Sequence, residues 1–251
     1  MKIDKKLIGT LMISALTITL IGIFAFRQEA QISQQYQDDP PTPVQPGVMT
    51  EKQKKHSRIF PSARGNRKLI QQSGNVEEII TVHSSSNFSG RTPPTRAGYF
   101  QRLACQSDSV VIARVIGKDS QLTENQDFVF TDYELEVGQV LKNNSNLDIQ
   151  ALKNITLTVL GGAVTIGNRH IKLTLTRKFP LHVAGEYLLF LKYVPDAESY
   201  RLISERGIFS VLNNQIITPE DPSIISPDSV ESTTALIRGV ANNCSNTGGQ
   251  Q

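Results

Sequence analysis

The chain has two cysteines and four histidines in 251 residues. No HExxH, no Cys/His spacing of a zinc site and no Gly-x-Ser-x-Gly occurs, so the common signatures of zinc hydrolysis and serine catalysis are missing. Gly161-Gly162 is followed by neither GK[ST] nor a helix, which excludes a phosphate loop and leaves a chain corner. The acids Asp119, Glu124, Asp127 and Asp132 match no EF-hand spacing and read as a solvated loop. No catalytic residue, cofactor site or metal ligand is assigned on these grounds. An excess of positive charge on the folded part is also lacking. The basic pI comes from the first 96 residues, with 13 Lys+Arg against 7 Asp+Glu; from Ala97 on the count is 13 against 16. A nucleic-acid-binding domain ordinarily carries its basic surface on the fold, so a nucleic-acid partner is not expected.

What is present begins with an address. Lys2, Lys5 and Lys6 (residues 1–6, the cytoplasmic n-region) precede an uncharged run from Leu7 to Phe26. As a helix that run is about 30 Å long, enough to cross a bilayer. The lysines hold the N-terminus in the cytoplasm, so the body is exported. Residues 7–26 are read as an uncleaved signal anchor, with a cleaved signal peptide and a secreted product as the alternative. Residues 27–95 read as a disordered linker: "QDDPPTPVQPG" favours extended chain, "EKQKKHSRIFPSARGNRK" is basic and poor in apolar residues, and "HSSSNFSGRTPPTR" is rich in Ser, Gly and Pro. His56 and His83 fall in this linker. Its basic run is either a solvated spacer or an electrostatic contact to anionic lipid or cell-wall polymer. The short patch Ile79–Val82 is a candidate edge strand.

Residues 96–245 hold the folded domain, with 246–251 as a disordered tail. Thr95 caps a helix through "AGYFQRLAC". "SDSVVIARVIG" is a buried strand, and "KDSQLTENQD" a polar loop. In "FVFTDYELEVGQVLK" the apolar parity changes between Phe130 and Tyr133 without turn residues. The expectation is one long strand with a β-bulge near Thr131 and Asp132. "NITLTVLGG" alternates likewise. "AVTIGNRHIKL" is a hairpin turning at Gly167-Asn168, with Ile166 opposite Arg169 and Val164 opposite Ile171. "EYLLFLKYV" is a central strand buried on both sides. "YRLI", "GIFSVL" and "QIIT" follow, with a tight turn at Asn213-Asn214. A last helix starts from Ser226 and Pro227 and presents Val230, Ala235, Ile237 and Val240. Seven or eight strands with two short helices point to a mainly β fold: a small antiparallel OB-like barrel with short flanking helices.

The order of a helix into "SDSVVIARV", then "YELEVGQVLK", "ITLTV", "PLHVAGEYLLFL" and "YRLISERGIFSV" resembles a group of uncharacterised exported bacterial domains. More distantly it is similar to netrin-like modules and tissue inhibitors of metalloproteinases, whose fold is an OB-type barrel. The resemblance spans residues 95 to 218 and rests on apolar strands. It implies a non-enzymatic module that binds through its sheet face and loops, placing attention on residues 118–127 and 176–185. The partners expected are the membrane, through the N-terminal helix, and an envelope protein or polymer. The alternatives are a protease inhibitor of netrin-like type and a hydrolase with an unrecognised site. The metalloproteinase inhibitors hold zinc with a free N-terminal cysteine, whereas Cys105 lies about a hundred residues into this chain. Cys105 and Cys244 are a candidate disulfide, the other reading being one buried and one exposed thiol.

Overall fold

The computed structural model describes residues 40–45, 47–60, 78–82, 95–143, 147, 149–175, 181–217 and 228–244. The segment 7–26, read as a membrane span, lies outside the described residues, among which no helix is long and apolar enough to cross a membrane. The described elements run β1 (Thr42–Pro43), α1 (Glu51–Ser57), β2 (Glu78–Val82), α2 (Arg96–Gln106), β3 (Ser109–Leu122), β4 (Val129–Asn143), β5 (Asn154–Leu160), β6 (Gly162–Ile166), β7 (Arg169–Leu175), β8 (Glu186–Val194), β9 (Ser199–Leu202), β10 (Ile208–Leu212), β11 (Gln215–Ile217), β12 (Asp228–Ser229) and α3 (Val230–Ala241). The fold is mainly β.

Eight strands form one sheet in the order β12-β11-β10-β8-β3-β4-β5-β9. β9 pairs with β5 in parallel at Leu157 and Tyr200, and also antiparallel with β8 from Leu191 to Val194. A second sheet of four strands runs β1-β6-β7-β2. Local turn chemistry fixes both tight hairpins. Gly167 takes φ +58°, and Val164 faces Ile171 while Ile166 faces Arg169. Asn213 and Asn214 both take positive φ and close β10 onto β11. Glu78–Val82 docks beside β7 in parallel, an edge strand as its short apolar patch suggested.

β8 separates two cores. Its even positions Leu188 and Phe190 lie with Phe100, Leu103, Phe209 and Ile237, under α2 and α3. Its odd positions Tyr187, Leu189 and Leu191 lie with Val115, Leu135, Val137 and Leu157. The period of two in a continuous apolar run therefore feeds both sides of the sheet. A third cluster holds Val44, Leu122, Phe128, Val129, Val164 and Ile171, between the second sheet and the near ends of β3 and β4.

Residues 129–143 are one strand, but the expected bulge at Thr131 and Asp132 is not there. Those residues sit in regular register opposite Ser120 and Asp119. The extra residues are Leu141 and Gly138 on β4 and Ile116 on β3, each skipped by its partner strand. The parity change has another cause: Val129, Phe130 and Thr131 are all buried, so this end of β4 is covered on both faces. Phe128 and Val129 join the third cluster, and the Phe130 ring lies 6.3 Å from that of Phe60. From Leu135 to Gly138 only one face is covered, with Glu134, Glu136 and Gly138 exposed, and past the bulge at Gly138, Leu141 is buried on the helix side.

Four other expectations change. The polar stretch 118–127 is strand as far as Leu122. Ser229, not Ser226, caps the last helix, its hydroxyl accepting from the Ser232 amide; Ser226 and Pro227 lie outside the described residues. Ala235 is exposed, and Leu236 packs inward instead. The linker expectation fails over residues 40–60: β1 pairs with β6, and α1 packs on the large sheet.

Candidate functional site: the face under the N-terminal arm

Residues 40–60 form an arm that crosses β4, β5 and two adjoining loops. Its helix starts with a capping box: Thr50 accepts from the Gln53 amide, and the Gln53 side chain accepts from the Thr50 amide. One helical stripe, Lys52, Gln53, His56 and Ser57, meets the sheet. Lys52 Nζ donates to Thr156 Oγ1 at 3.1 Å, and Gln53 Nε2 to Asp119 Oδ2 at 3.0 Å. Lys55 pairs with Glu198 at 2.9 Å, Ser57 Oγ accepts from the Glu124 amide at 2.7 Å, and Arg58 reaches the Glu124 carboxylate at 3.5 Å.

His56 is the centre of this contact. Its side chain is 0% exposed. Nδ1 lies 2.7 Å from Asp132 Oδ2 and Nε2 lies 3.1 Å from the Ala197 carbonyl. The other oxygen of Asp132 accepts from the Thr158 hydroxyl at 2.6 Å. The Glu198 carboxyl is held below its ordinary value first by the hydrogen bond and charge of Lys55, and further by the nearby His56. Both imidazole nitrogens are thus engaged with the protein, which leaves neither for a substrate.

Of the acids of the sequence reading, Asp119 and Asp132 stand opposite each other on β3 and β4, Glu124 meets the arm and Asp127 is buried in the turn between the strands; each has its own protein partner. Asp119 accepts from Gln53 and Gln121, Glu124 from Arg58, Asp127 from Thr123, and Asp132 from His56 and Thr158. Among the described residues no group of three or more His, Cys, Asp or Glu is placed to hold a metal ion. Between the arm and the end of β3, Val44, Val48 and Met49 with Gln121 to Glu124 line a shallow depression. In the region 176–185, residues 176–180 lie outside the described residues; the His182 amide donates to the Tyr187 hydroxyl at 2.9 Å. His170 lies 3.0 Å from Thr165 Oγ1, and His83 is outside the described residues.

Cys105 and Cys244 are joined by a disulfide with Cα atoms 5.1 Å apart. Cys105 sits within α2 and offers no free thiol to a metal. Arg96 at the start of the same helix pairs with Asp228, whose carboxyl is held below its ordinary range by that guanidinium.

Sequence reasoning missed the arm. The signal within reach was the Thr-Glu-Lys-Gln run at 50–53, a capping box opening a helix, with Phe60 seven residues after Gln53. No family model matches the chain, and a search of curated proteins finds no match.

Proposed function

We propose that this chain is an exported, membrane-tethered binding module and not an enzyme. The pairings β3-β4-β5-β9-β8 and back to β3 support reading the large sheet as an OB-type barrel, since two antiparallel links and one parallel link return the ring to its start. In such barrels ligands lie on the second and third strands and on the loops that flank them. Here those are β4 and β5, the loop after β3 and the loop after β8. The observation that carries the reading is that the arm already occupies this face, with Lys52, Lys55 and Arg58 meeting Thr156, Glu198 and Glu124. The face therefore takes cationic helical peptide, and the partner class proposed is a basic segment of another envelope protein in competition with the arm.

Export is supported by Lys2, Lys5 and Lys6 ahead of the uncharged run, and by a disulfide, which persists in oxidising compartments. Titrating the full chain with a lysine-rich helical peptide, and separately with an anionic envelope polymer, tests the face. Backbone NMR is expected to perturb Asp119, Glu124, Asp132 and Glu198 with the peptide. Perturbation confined to α2 and α3, or none with either probe, removes the reading. Mass spectrometry of the mature N-terminus, expected at Met1 or Lys2, separates an anchor from a cleaved signal.

A further inference from the structure

We propose that the free edge of β2 pairs with β2 of a second copy of this chain, antiparallel and centred on Ile80. The edge belongs to the second sheet, so the proposal stands apart from the face of β4 and β5. A terminal strand leaves a row of N–H and C=O groups without partners, and folded proteins blunt such rows by shortness, proline, lysine or closure. Three of the four sheet ends follow that rule. β1 has two residues, and one of them, Pro43, has no N–H. β12 also has two residues. β9, at the far end of the large sheet, turns back onto β8. β2 does not follow it. It runs for five residues, Glu78–Val82, with neither proline nor lysine, and the last four are all β-branched, the type that favours extended chain. It pairs along its whole length with β7, and among the described residues no strand lies on its other side. Successive residues of a strand send their backbone groups to opposite edges, so pairing with β7 engages only every other residue.

Such an edge takes an extended strand, because only that conformation matches its row of donors and acceptors. A second copy supplies one of equal length and composition, and charge fixes its direction. Glu77 and Glu78 stand at the start of the run, and no acid occurs from Ile79 to Pro94. Parallel pairing in register would set Glu78 against Glu78, and like charges directly opposite are destabilising. Antiparallel pairing about Ile80 instead sets Glu78 opposite Val82 and Ile79 opposite Thr81, each acidic end beside an acid-free one. A two-fold axis then passes by Ile80, so one edge serves both partners and the assembly closes at the dimer. The pairing also prolongs an apolar row. Ile80 is in register with Leu173, which is buried in the third cluster, and the row runs on into Ile80 and Leu173 of the second copy. The four strands of each copy join into one continuous sheet. Two five-residue strands cover well under the roughly 1,000 Å² of a stable interface, so the association is weak and depends on concentration. Copies held by the proposed membrane tether meet at higher effective concentration.

The test is hydrogen exchange of the full chain over the micromolar to millimolar range, with the β8 amides as reference. Protection of the β2 amides is expected to rise with concentration while that of β8 stays constant. β2 exchange indifferent to concentration overturns the proposal. So does protection gained from an added extended peptide of unrelated sequence but not from more of the chain, which assigns the edge to another partner. A charge exchange then checks the register. Thr81→Lys sets two lysines diagonally across the two-fold axis, and Ile79→Glu sets two glutamates there, at a position in register with Lys172 of β7. Each variant alone is expected to weaken the association about two- to fivefold. An equal mixture places the lysine of one copy opposite the glutamate of the other, and is expected to associate more tightly than either variant alone. A mixture no tighter than its components overturns the pairing about Ile80. Should either variant fail to fold, isotope-filtered NMR of labelled and unlabelled wild-type chain replaces them: contacts between β2 of the two copies support the pairing, and their absence at millimolar concentration overturns it. Binding at the face beneath the arm is read on β4 and β5, so each reading can fail without the other.

Discussion

At the scale of single residues, Gly162 shows why the corner after β5 is built of glycine. It takes φ +130°, and a Cβ there would stand 2.1 Å from Thr131 Oγ1 and 2.9 Å from Ser120 Oγ. Those hydroxyls are 2.8 Å from each other, and Thr131 donates to the Gly161 carbonyl at 2.7 Å, all within the buried end of β4. A methyl group would break this polar cluster as well as strain the backbone. Gly162→Ala is expected to cost about 2–4 kcal/mol, the sum of backbone strain and overpacking. That corresponds to a fall of about 5–15 °C in Tm. Gly167→Ala is the control: φ is +58° but nothing lies within 4 Å. It should lose only the left-handed penalty of about 1–2 kcal/mol. Thermal unfolding by circular dichroism compares the two, and equal losses would show that the hydroxyl cluster is not what requires glycine at 162.

Among the elements, α1 is held unevenly by its contacts. The Lys55–Glu198 and Arg58–Glu124 pairs are exposed, and such pairs contribute little and weaken with salt. The His56–Asp132 contact is buried, and removing one partner of a buried hydrogen bond leaves the other unsatisfied at a cost of about 1–3 kcal/mol. Asp132→Ala should therefore release α1 while Glu198→Ala scarcely does, as read by exchange of the Lys54 and Arg58 amides at pH 6; the opposite ranking would move the anchor to the rim. This element was also the least legible in the sequence. Both tight hairpins were readable, because Gly167-Asn168 and Asn213-Asn214 carry the turn chemistry within two residues. β8 was readable because five successive apolar residues admit no exposed face. The arm's polar stripe instead finds its partners 66 to 141 residues away, and nothing local marks His56 as buried. The parity change in β4 was visible, but its cause was not, since a bulge and a second covering layer leave the same apolar pattern. The start of α3 was misplaced by three residues because Ser226-Pro227 and Ser229 offer equally good local caps.

Over the whole molecule, the disulfide ties the first helix of the domain to the last. Cys105 lies near the end of α2 and Cys244 just beyond α3, 139 residues apart. These two helices cover the same core, with Phe100 and Leu103 from one and Ile237 from the other set over Leu188, Phe190 and Phe209. Arg96 joins them at the opposite end of α2 by pairing with Asp228 and donating to Thr233. The helix layer is thus clamped at both ends, whereas the arm, farther along the same face of the sheet over β4 and β5, is held without a covalent link. The two coverings should respond differently to reductant. Opening a loop of this length removes at most about 5 kcal/mol in the chain-entropy picture. Thermal unfolding of the full chain should fall by up to about 10–20 °C when the bridge is reduced or replaced in the paired Cys105→Ser, Cys244→Ser variant. Exchange of the α1 amides at 25 °C should stay unchanged relative to β8, because the bridge acts on the unfolded chain and on α2 and α3, not on the face beneath the arm. An unfolding midpoint indifferent to reductant would mean that the helix layer is secured by its packing and the Arg96–Asp228 pair alone.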